Sequence, residues 1–350
     1  MTRLIEKLTA THSLTEGELF ALLEAASEED WAVLTQNALL QRKKSYGNQV
    51  FIRGLVEFTN YCKNNCYYCG IRRANSAVQR YRLTDEEILD TCLQGHRLGL
   101  RSFVLQGGED PADTPERIAA LVARIKDRCP NSAVTLSVGE HSRQTYALWR
   151  EAGADRYLLR HETADPDHYR HLHPPRQTLE NRLKCLQDLK DLGYQVGCGF
   201  MVGSPGQGNE QLVKDLLFLQ EFQPHMVGIG PFIPQKDTPF RDQSPGSVEL
   251  TLRLLSLLRL LLPDVLLPAT TALGTLHPQG RELGLLAGAN VCMPNLSPRS
   301  VRGNYALYDN KLSDGAEAVE SLNALSRRLH SIGCEMNTTR GDHRRKITDV

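Results

Sequence analysis

The sequence predicts an α/β protein: a (β/α)8 barrel of the TIM type with an N-terminal helical extension. Three observations carry this expectation. Eight short apolar runs recur from residue 50 onward, and amphipathic helical stretches separate them. Strict alternation of β and α elements is the pattern of a parallel sheet. Eight such units favour a closed barrel over a doubly wound open sheet. Each run also ends in a polar or glycine-rich segment, which gathers ligand-binding candidates at one mouth.

Residues 1–45 are rich in Leu, Ala, Glu and Gln and read as helical, with Thr15 and Ser27 placed to cap helix starts. Strands are expected at 50–59, 102–106, 133–138, 156–161, 195–201, 226–232, 266–272 and 289–293. Helices are expected near 84–99, 114–127, 142–152, 178–192, 208–221, 247–262, 279–287 and 314–332. This gives three parts: an extension (1–45), a barrel (46–333) and a tail (334–350). The tail is polar, with a basic run at His343-Arg344-Arg345-Lys346, and reads as a solvated terminus.

The chain has 350 residues, long for one domain but ordinary for an α/β barrel. Lys plus Arg equal Asp plus Glu at 41 each, which argues against binding nucleic acid through phosphate contacts. The most apolar stretch, 254–267, is broken by Arg259, Pro263 and Asp264 and is too short to span a bilayer. The N-terminus lacks the apolar core of a signal peptide. Nine cysteines, an odd number without a disulfide-framework spacing, fit a reducing cytoplasm.

Chemistry concentrates in Cys62-Lys-Asn-Asn-Cys66-Tyr-Tyr-Cys69. Three thiolates spaced x3 then x2 can hold three irons of a [4Fe-4S] cube and leave the fourth iron open for a small molecule. Zinc is the commoner ligand of x2-spaced cysteines, but it wants a fourth ligand nearby, and no His or Cys follows in residues 70–89. A disulfide within so short a loop is geometrically awkward.

The other candidates follow later strands. Gln106-Gly107-Gly108-Glu109-Asp110 ends the second strand, and its glycines either admit a ligand to the backbone or make a plain tight turn. Glu140 ends the third strand and Arg160-His161-Glu162-Thr163 the fourth; an isolated Glu is usually a solvated charge, but here it sits beside Arg160 at a barrel mouth. Arg182 lies on the next helix, where Thr178 offers it no i,i+4 salt bridge. Met201-Val-Gly203-Ser-Pro205-Gly206, Pro231-Phe-Ile-Pro234, Thr270-Thr271 and Met293-Pro294-Asn295 close the remaining strands. His161, His173, His225 and His277 are scattered and suggest no metal site. Cys92, Cys129, Cys185, Cys292 and Cys334 read as buried thiols. Cys198, between two glycines in a strand, is placed to point inward.

The cysteine loop, with Tyr68 just before the third Cys, resembles the signature of radical S-adenosylmethionine (SAM) enzymes. The resemblance implies that the open iron chelates the amino and carboxylate groups of SAM. An electron then cleaves SAM to methionine and a 5′-deoxyadenosyl radical. It implies cofactor-binding roles for Tyr68, Gln106, Gly107, Gly108, Glu109, Glu162, Arg182 and Met201. From about residue 45 to 310 the chain is similar to the HydE family of [FeFe]-hydrogenase maturases. The carrying segments include Glu57-Phe-Thr-Asn-Tyr-Cys62, Arg80-Tyr-Arg-Leu-Thr84, Gly153-Ala-Asp-Arg-Tyr-Leu-Leu-Arg-His-Glu-Thr163, Met226-Val-Gly-Ile-Gly-Pro-Phe-Ile-Pro234 and Pro268-Ala-Thr-Thr-Ala272.

That family resemblance implies radical attack on the sulfur of a small, cysteine-derived, iron-bound substrate during assembly of the diiron subcluster. Thr135, Arg156, Arg160, Thr270, Thr271, Met293, Tyr305 and Tyr308 would line the substrate cavity. It also implies a flavodoxin- or ferredoxin-type electron donor, the other hydrogenase maturases as partners, and anaerobic conditions. Residues 311–321 hold none of the cysteines that bind a second cluster in many members. The alternatives are a methylornithine synthase-like mutase, set apart at Gln106-Gly107-Gly108 and Arg160-His161-Glu162, and a non-catalytic iron–sulfur scaffold. Biotin synthase chemistry needs several inward cysteines, for which only Cys198 is available.

Overall fold

Helix starts fix the N-terminal extension. Thr15 and Ser27 each accept a hydrogen bond from the backbone N–H three residues on, and Glu18 and Asp30 reach back to the cap N–H groups. These capping boxes start helices Glu16–Ala25 and Glu28–Tyr46, after a first helix Thr2–Thr11. The structure, a computed structural model, describes residues 1–312 and 318–344. Helix Glu28–Tyr46 packs along Val248–Leu261 and Glu16–Ala25 along Asn209–Phe222, so the extension lies on the barrel's outer helical layer.

The eight expected strands form one parallel ring. Gly54–Thr59 pairs with Ser102–Gly107, which pairs in turn with Ala133–Ser137, Arg156–Leu158, Gln195–Cys198 and Met226–Val227. Bridges at Met226↔Leu266 and Pro268↔Val291 carry the ring through the seventh strand to Val291–Cys292. Those residues pair with Gln49–Ile52, and Leu55↔Asn295 closes the circle. The seventh strand is reduced to bridges because Pro268 has no N–H to give a ladder. Helices Asp85–Arg97, Pro115–Arg128, Arg143–Glu151, Leu179–Asp191, Asn209–Phe222, Val248–Leu261 and Gly280–Leu286 follow successive strands as the alternation requires. The last helix is described over Ala318–Ser331, so the start expected near 314 lies outside the described residues.

The tail departs from the solvated terminus expected of it. Glu335–Asn337 adds a short parallel strand to Gln49–Ile52. The chain then turns under the barrel floor, where Gly341 and Asp342 meet two buried arginines. Arg53 donates to Gly341 O at 3.4 Å, and Arg156 donates to Arg340 O at 2.5 Å and to Asp342 Oδ1 at 2.7 Å. Gln195 holds the same Asp342 oxygen at 2.8 Å, and His343 is buried. Polar residues are drawn inward here because the arginine side chains of the first and fourth strands need acceptors. Arg345 and Lys346 of the basic run lie outside the described residues.

Candidate active site

The cysteine loop is an ordered irregular segment held by its neighbours. Arg80 donates to four of its carbonyls: Nη1 to Asn60 O and Ile71 O, Nη2 to Arg72 O and Asn75 O, at 2.5 to 3.0 Å. Backbone bonds tie it outward: Lys63 N–H to Glu109 O (2.8 Å), Tyr67 N–H to Leu172 O (3.0 Å) and Gly70 N–H to Leu307 O (2.8 Å). The glycine loop of the second strand packs directly on it. A Cβ at Gly108 would lie 2.2 Å from Tyr61 O and 2.7 Å from the Cys62 Cβ. Gly139, at φ +86°, leaves the space that the Glu109 side chain fills. The three thiols face one cavity and feel one another. Burial, then the charge of Cys62, pushes Cys66 up to about 12; burial, then Cys66 and Cys62, raises Cys69.

That cavity, about 590 Å³, runs from the cysteine loop into the barrel. It gathers Tyr68, Gln106, Gly107, Gly108, Glu109, Glu162, Arg182 and Met201 beside the thiols. Arg160, Thr270, Thr271, Met293, Tyr305 and Tyr308 stand on the same wall surface. Tyr68 OH lies 3.1 Å from His173 Nε2, while His173 Nδ1 lies 3.0 Å from Tyr169 O. Burial, then Arg182, lowers His173 to about 3, so its ring is neutral. With Nδ1–H donating to the carbonyl, Nε2 is left to accept from Tyr68. Glu162 sits at φ +66°, in the left-handed region that a non-glycine residue rarely adopts. Several buried polar atoms on the wall make no hydrogen bond: Arg160 Nε and Nη2, Glu162 Oε2, Thr270 Oγ1 and Gln177 Nε2. Arg160 and Glu162 stand 3.5 Å apart as a loose ion pair. Unmet groups of this kind mark a site built for a polar ligand.

A profile of the Radical SAM superfamily matches residues 56–219. The [FeFe] hydrogenase maturase subunit HydE of Thermotoga maritima is 52% identical over 77% of this chain and 77% of its own length. The chain belongs to the HydE family of radical SAM enzymes. The 3-methylornithine synthase of Methanosarcina acetivorans matches more of the chain, 96%, and 94% of its own length, but at 31% identity. The crystal structure of a methylornithine synthase superposes with a TM-score of 0.83 at 32% identity, covering 95% of this chain and 97% of that one.

A radical SAM enzyme of this family uses a [4Fe-4S] cluster and SAM, and the donor set suits both. Three soft thiols face the cavity from one loop, while carboxylate, amide and guanidinium atoms beside them make no hydrogen bond. Two residues expected in the HydE-type substrate cavity are elsewhere. Arg156 is spent on Asp342 and the Arg340 carbonyl at the floor. Thr135 is fully buried one inward position below Ser137, which does line the cavity, and its Oγ1 makes no hydrogen bond. Cys198 is also displaced: it packs in the outer core, while Gly197 and Gly199 take the inward positions of its strand. Arg182 lines the cavity, but its guanidinium is engaged by Glu140 and by Arg160 O at 2.5 Å. Asn295, expected at the end of the eighth strand, lines the wall; Glu57, Arg281 and Lys311 also line it and were missed by sequence reasoning. Period-two alternation along the first strand was a signal for Glu57; nothing local marked Arg281 or Lys311.

Proposed function

We propose that this chain performs the HydE-type step in maturation of an [FeFe]-hydrogenase, acting on a small, cysteine-derived, iron-bound sulfur compound. The observation that carries the reading is one cavity that three thiols share with buried polar atoms that make no hydrogen bond. Cys62, Cys66 and Cys69 would hold the cluster. When bound, cluster and SAM supply reductive cleavage of SAM to the 5′-deoxyadenosyl radical.

The chain's own residues do the rest. Gly107 and Gly108 line the cavity with main-chain atoms for the amino acid part of SAM, and Glu109 and Glu162 supply carboxylates to its polar groups. Tyr68, oriented by His173, and Met201 give the adjoining wall. Arg182 clamps the loops of the third and fourth strands through Glu140 and the Arg160 carbonyl, which fixes where Arg160 points. Arg160 offers a planar fork to an anionic group, Thr270 and Thr271 offer hydroxyls, and Met293 a soft contact beside sulfur. Tyr305 and Tyr308 close one side. Such a cavity keeps solvent from a reactive radical. The electron donor is of flavodoxin or ferredoxin type, and the other maturases are the partners, in an anaerobic cytoplasm. No described helix is long and apolar enough to cross a membrane.

The overall likeness to methylornithine synthase favours a second reading, a mutase acting on a basic amino acid. One experiment separates the readings. The anaerobically reconstituted, reduced protein is given SAM with either cysteine-derived thioethers or ornithine- and lysine-like amino acids. Formation of 5′-deoxyadenosine that responds to the sulfur compounds supports the maturase; a response to the basic amino acids alone supports the mutase. A protein that assembles a cluster but never cleaves SAM is a scaffold.

A further inference from the structure

Glu57 is an expensive residue to keep where it stands. It lies on the inward face of the first strand, and its side chain is 1% exposed. The strand does not need the carboxylate. Its ladder is made by the main chain, and two hydroxyls hold Glu57's own main-chain groups: Glu57 N–H donates to Ser297 Oγ at 2.8 Å and Tyr81 OH donates to Glu57 O at 2.8 Å. The two carboxylate oxygens instead face other cavity-lining groups: Lys311 Nζ at 2.5 Å and Asn295 Nδ2 at 2.7 Å. Burial pushes the Glu57 carboxyl up and Lys311 opposes it, so the ionised carboxylate here depends on a cation.

The cation comes from a strap rather than from the barrel. The segment 304–311 crosses the mouth, fastened by Asn60 Nδ2 to Asn304 O (2.7 Å), Gly70 N–H to Leu307 O (2.8 Å) and Asp309 N–H to Pro234 O (3.1 Å). Its last residue, Lys311, reaches in with a flexible stem and a compact ammonium, which also donates to Tyr305 O at 3.0 Å and lies 4.9 Å from the Tyr305 ring centre. Across the ring, on the fourth strand, Arg160 presents guanidinium nitrogens that make no hydrogen bond. The cavity is therefore polarised, with a carboxylate on the first strand and, opposite, a guanidinium held by a loose 3.5 Å pairing with Glu162.

The geometry points to Glu57 and Asn295 as an ammonium-binding subsite, with Lys311 as a placeholder that a ligand's own ammonium displaces. A ligand carrying an ammonium group and an anionic group then satisfies both poles, and Glu57 is never left unpaired during the exchange. This rests on the reading of the cavity as a small-molecule site and narrows the substrate class to zwitterions of the amino acid kind.

The test uses the cluster-loaded, SAM-bound protein and a matched pair of probes: S-methyl-L-cysteine and its deaminated analogue, 3-(methylthio)propionate. Calorimetric titration should show the wild type preferring the amine-bearing probe by about tenfold or more. Glu57→Gln should bring the ratio near one. Lys311→Met should tighten the amine-bearing probe several-fold and leave the analogue unchanged. An undiminished preference in Glu57→Gln, or equal weakening of both probes in Lys311→Met, overturns the subsite. If neither probe binds the wild type, the small-thioether reading fails, and the subsite is judged by rescue alone. Lys311→Ala should lose thermal stability, and n-propylammonium should restore at least half of the lost Tm while 1-propanol does not. Equal effects of the two additives overturn the subsite.

Discussion

Arg80 shows what a single guanidinium contributes at residue scale. Four carbonyls of the cysteine loop converge on its two terminal nitrogens, a geometry that an ammonium cannot reproduce. Arg80→Lys should therefore keep the fold, since the side chain lies outside the core, yet reduce iron per chain after anaerobic reconstitution to less than half of wild type. Iron analysis beside a far-ultraviolet circular dichroism spectrum checks both halves. Arg182 and Glu162 make a second residue-scale case. Arg182→Ala breaks the tie between the Glu140 carboxylate and the Arg160 carbonyl, and Glu162→Ala removes a carboxylate whose Oε2 accepts no hydrogen bond. Both variants should weaken SAM binding about tenfold or more. Glu162→Ala should leave Tm nearly unchanged, because a left-handed backbone and a loose ion pair store little stability there. Loss of folded protein in Glu162→Ala with unchanged SAM affinity would assign it to the fold instead. The cysteines, the glycine loop and Glu162 were legible because each ends a barrel strand. Arg80 and His173 were not, because their work is to hold other residues, and that is written only in three dimensions.

At the scale of elements, alternation of apolar runs with amphipathic stretches located the strands and helices, since burial on both faces of a parallel strand leaves a continuous apolar signal. The same logic missed the strand Glu335–Asn337, whose three residues are polar or half-exposed and carry no periodicity. What holds this segment is charge. Burial alone would raise the Asp342 carboxyl, but Arg340, Arg156 and Gln195 outweigh it and hold the group well below the ordinary carboxylate range. A carboxyl lowered on folding stabilises the native state above its unfolded value, near pH 4, and loses that contribution as pH falls toward its folded value. Asp342→Asn should accordingly cost about 2 kcal/mol at neutral pH, screened relative to a fully enclosed pair. The difference between variant and wild type in urea unfolding should stay constant above about pH 5 and close as pH drops below about 4. A gap undiminished at pH 2 would show that packing, not charge, seats the tail.

For the molecule as a whole, the ring places the cysteine loop and the strand-four and strand-seven groups on one cavity, although they are far apart in sequence. The barrel topology alone implied that convergence, because every strand delivers its C-terminal end to the same mouth. It could not tell which inward residues stop short of the cavity, as Arg156 and Thr135 do, because that depends on where the tail fills the floor. The single donor loop predicts a single cube: iron and sulfide should each approach about four per chain, whereas a reproducible eight would require a second site.

The pairing of Glu335–Asn337 with Gln49–Ile52 also has a consequence in time. During synthesis the first strand leaves the ribosome nearly three hundred residues before its lower partner. At ordinary elongation rates that is a wait on the order of tens of seconds. The thiols emerge early in that interval, joined to a strand whose ring cannot yet close. The nascent chain thus carries an unshielded metal-binding loop on an incomplete scaffold, and iron delivered before the eighth strand and the segment after it arrive would meet a site without walls.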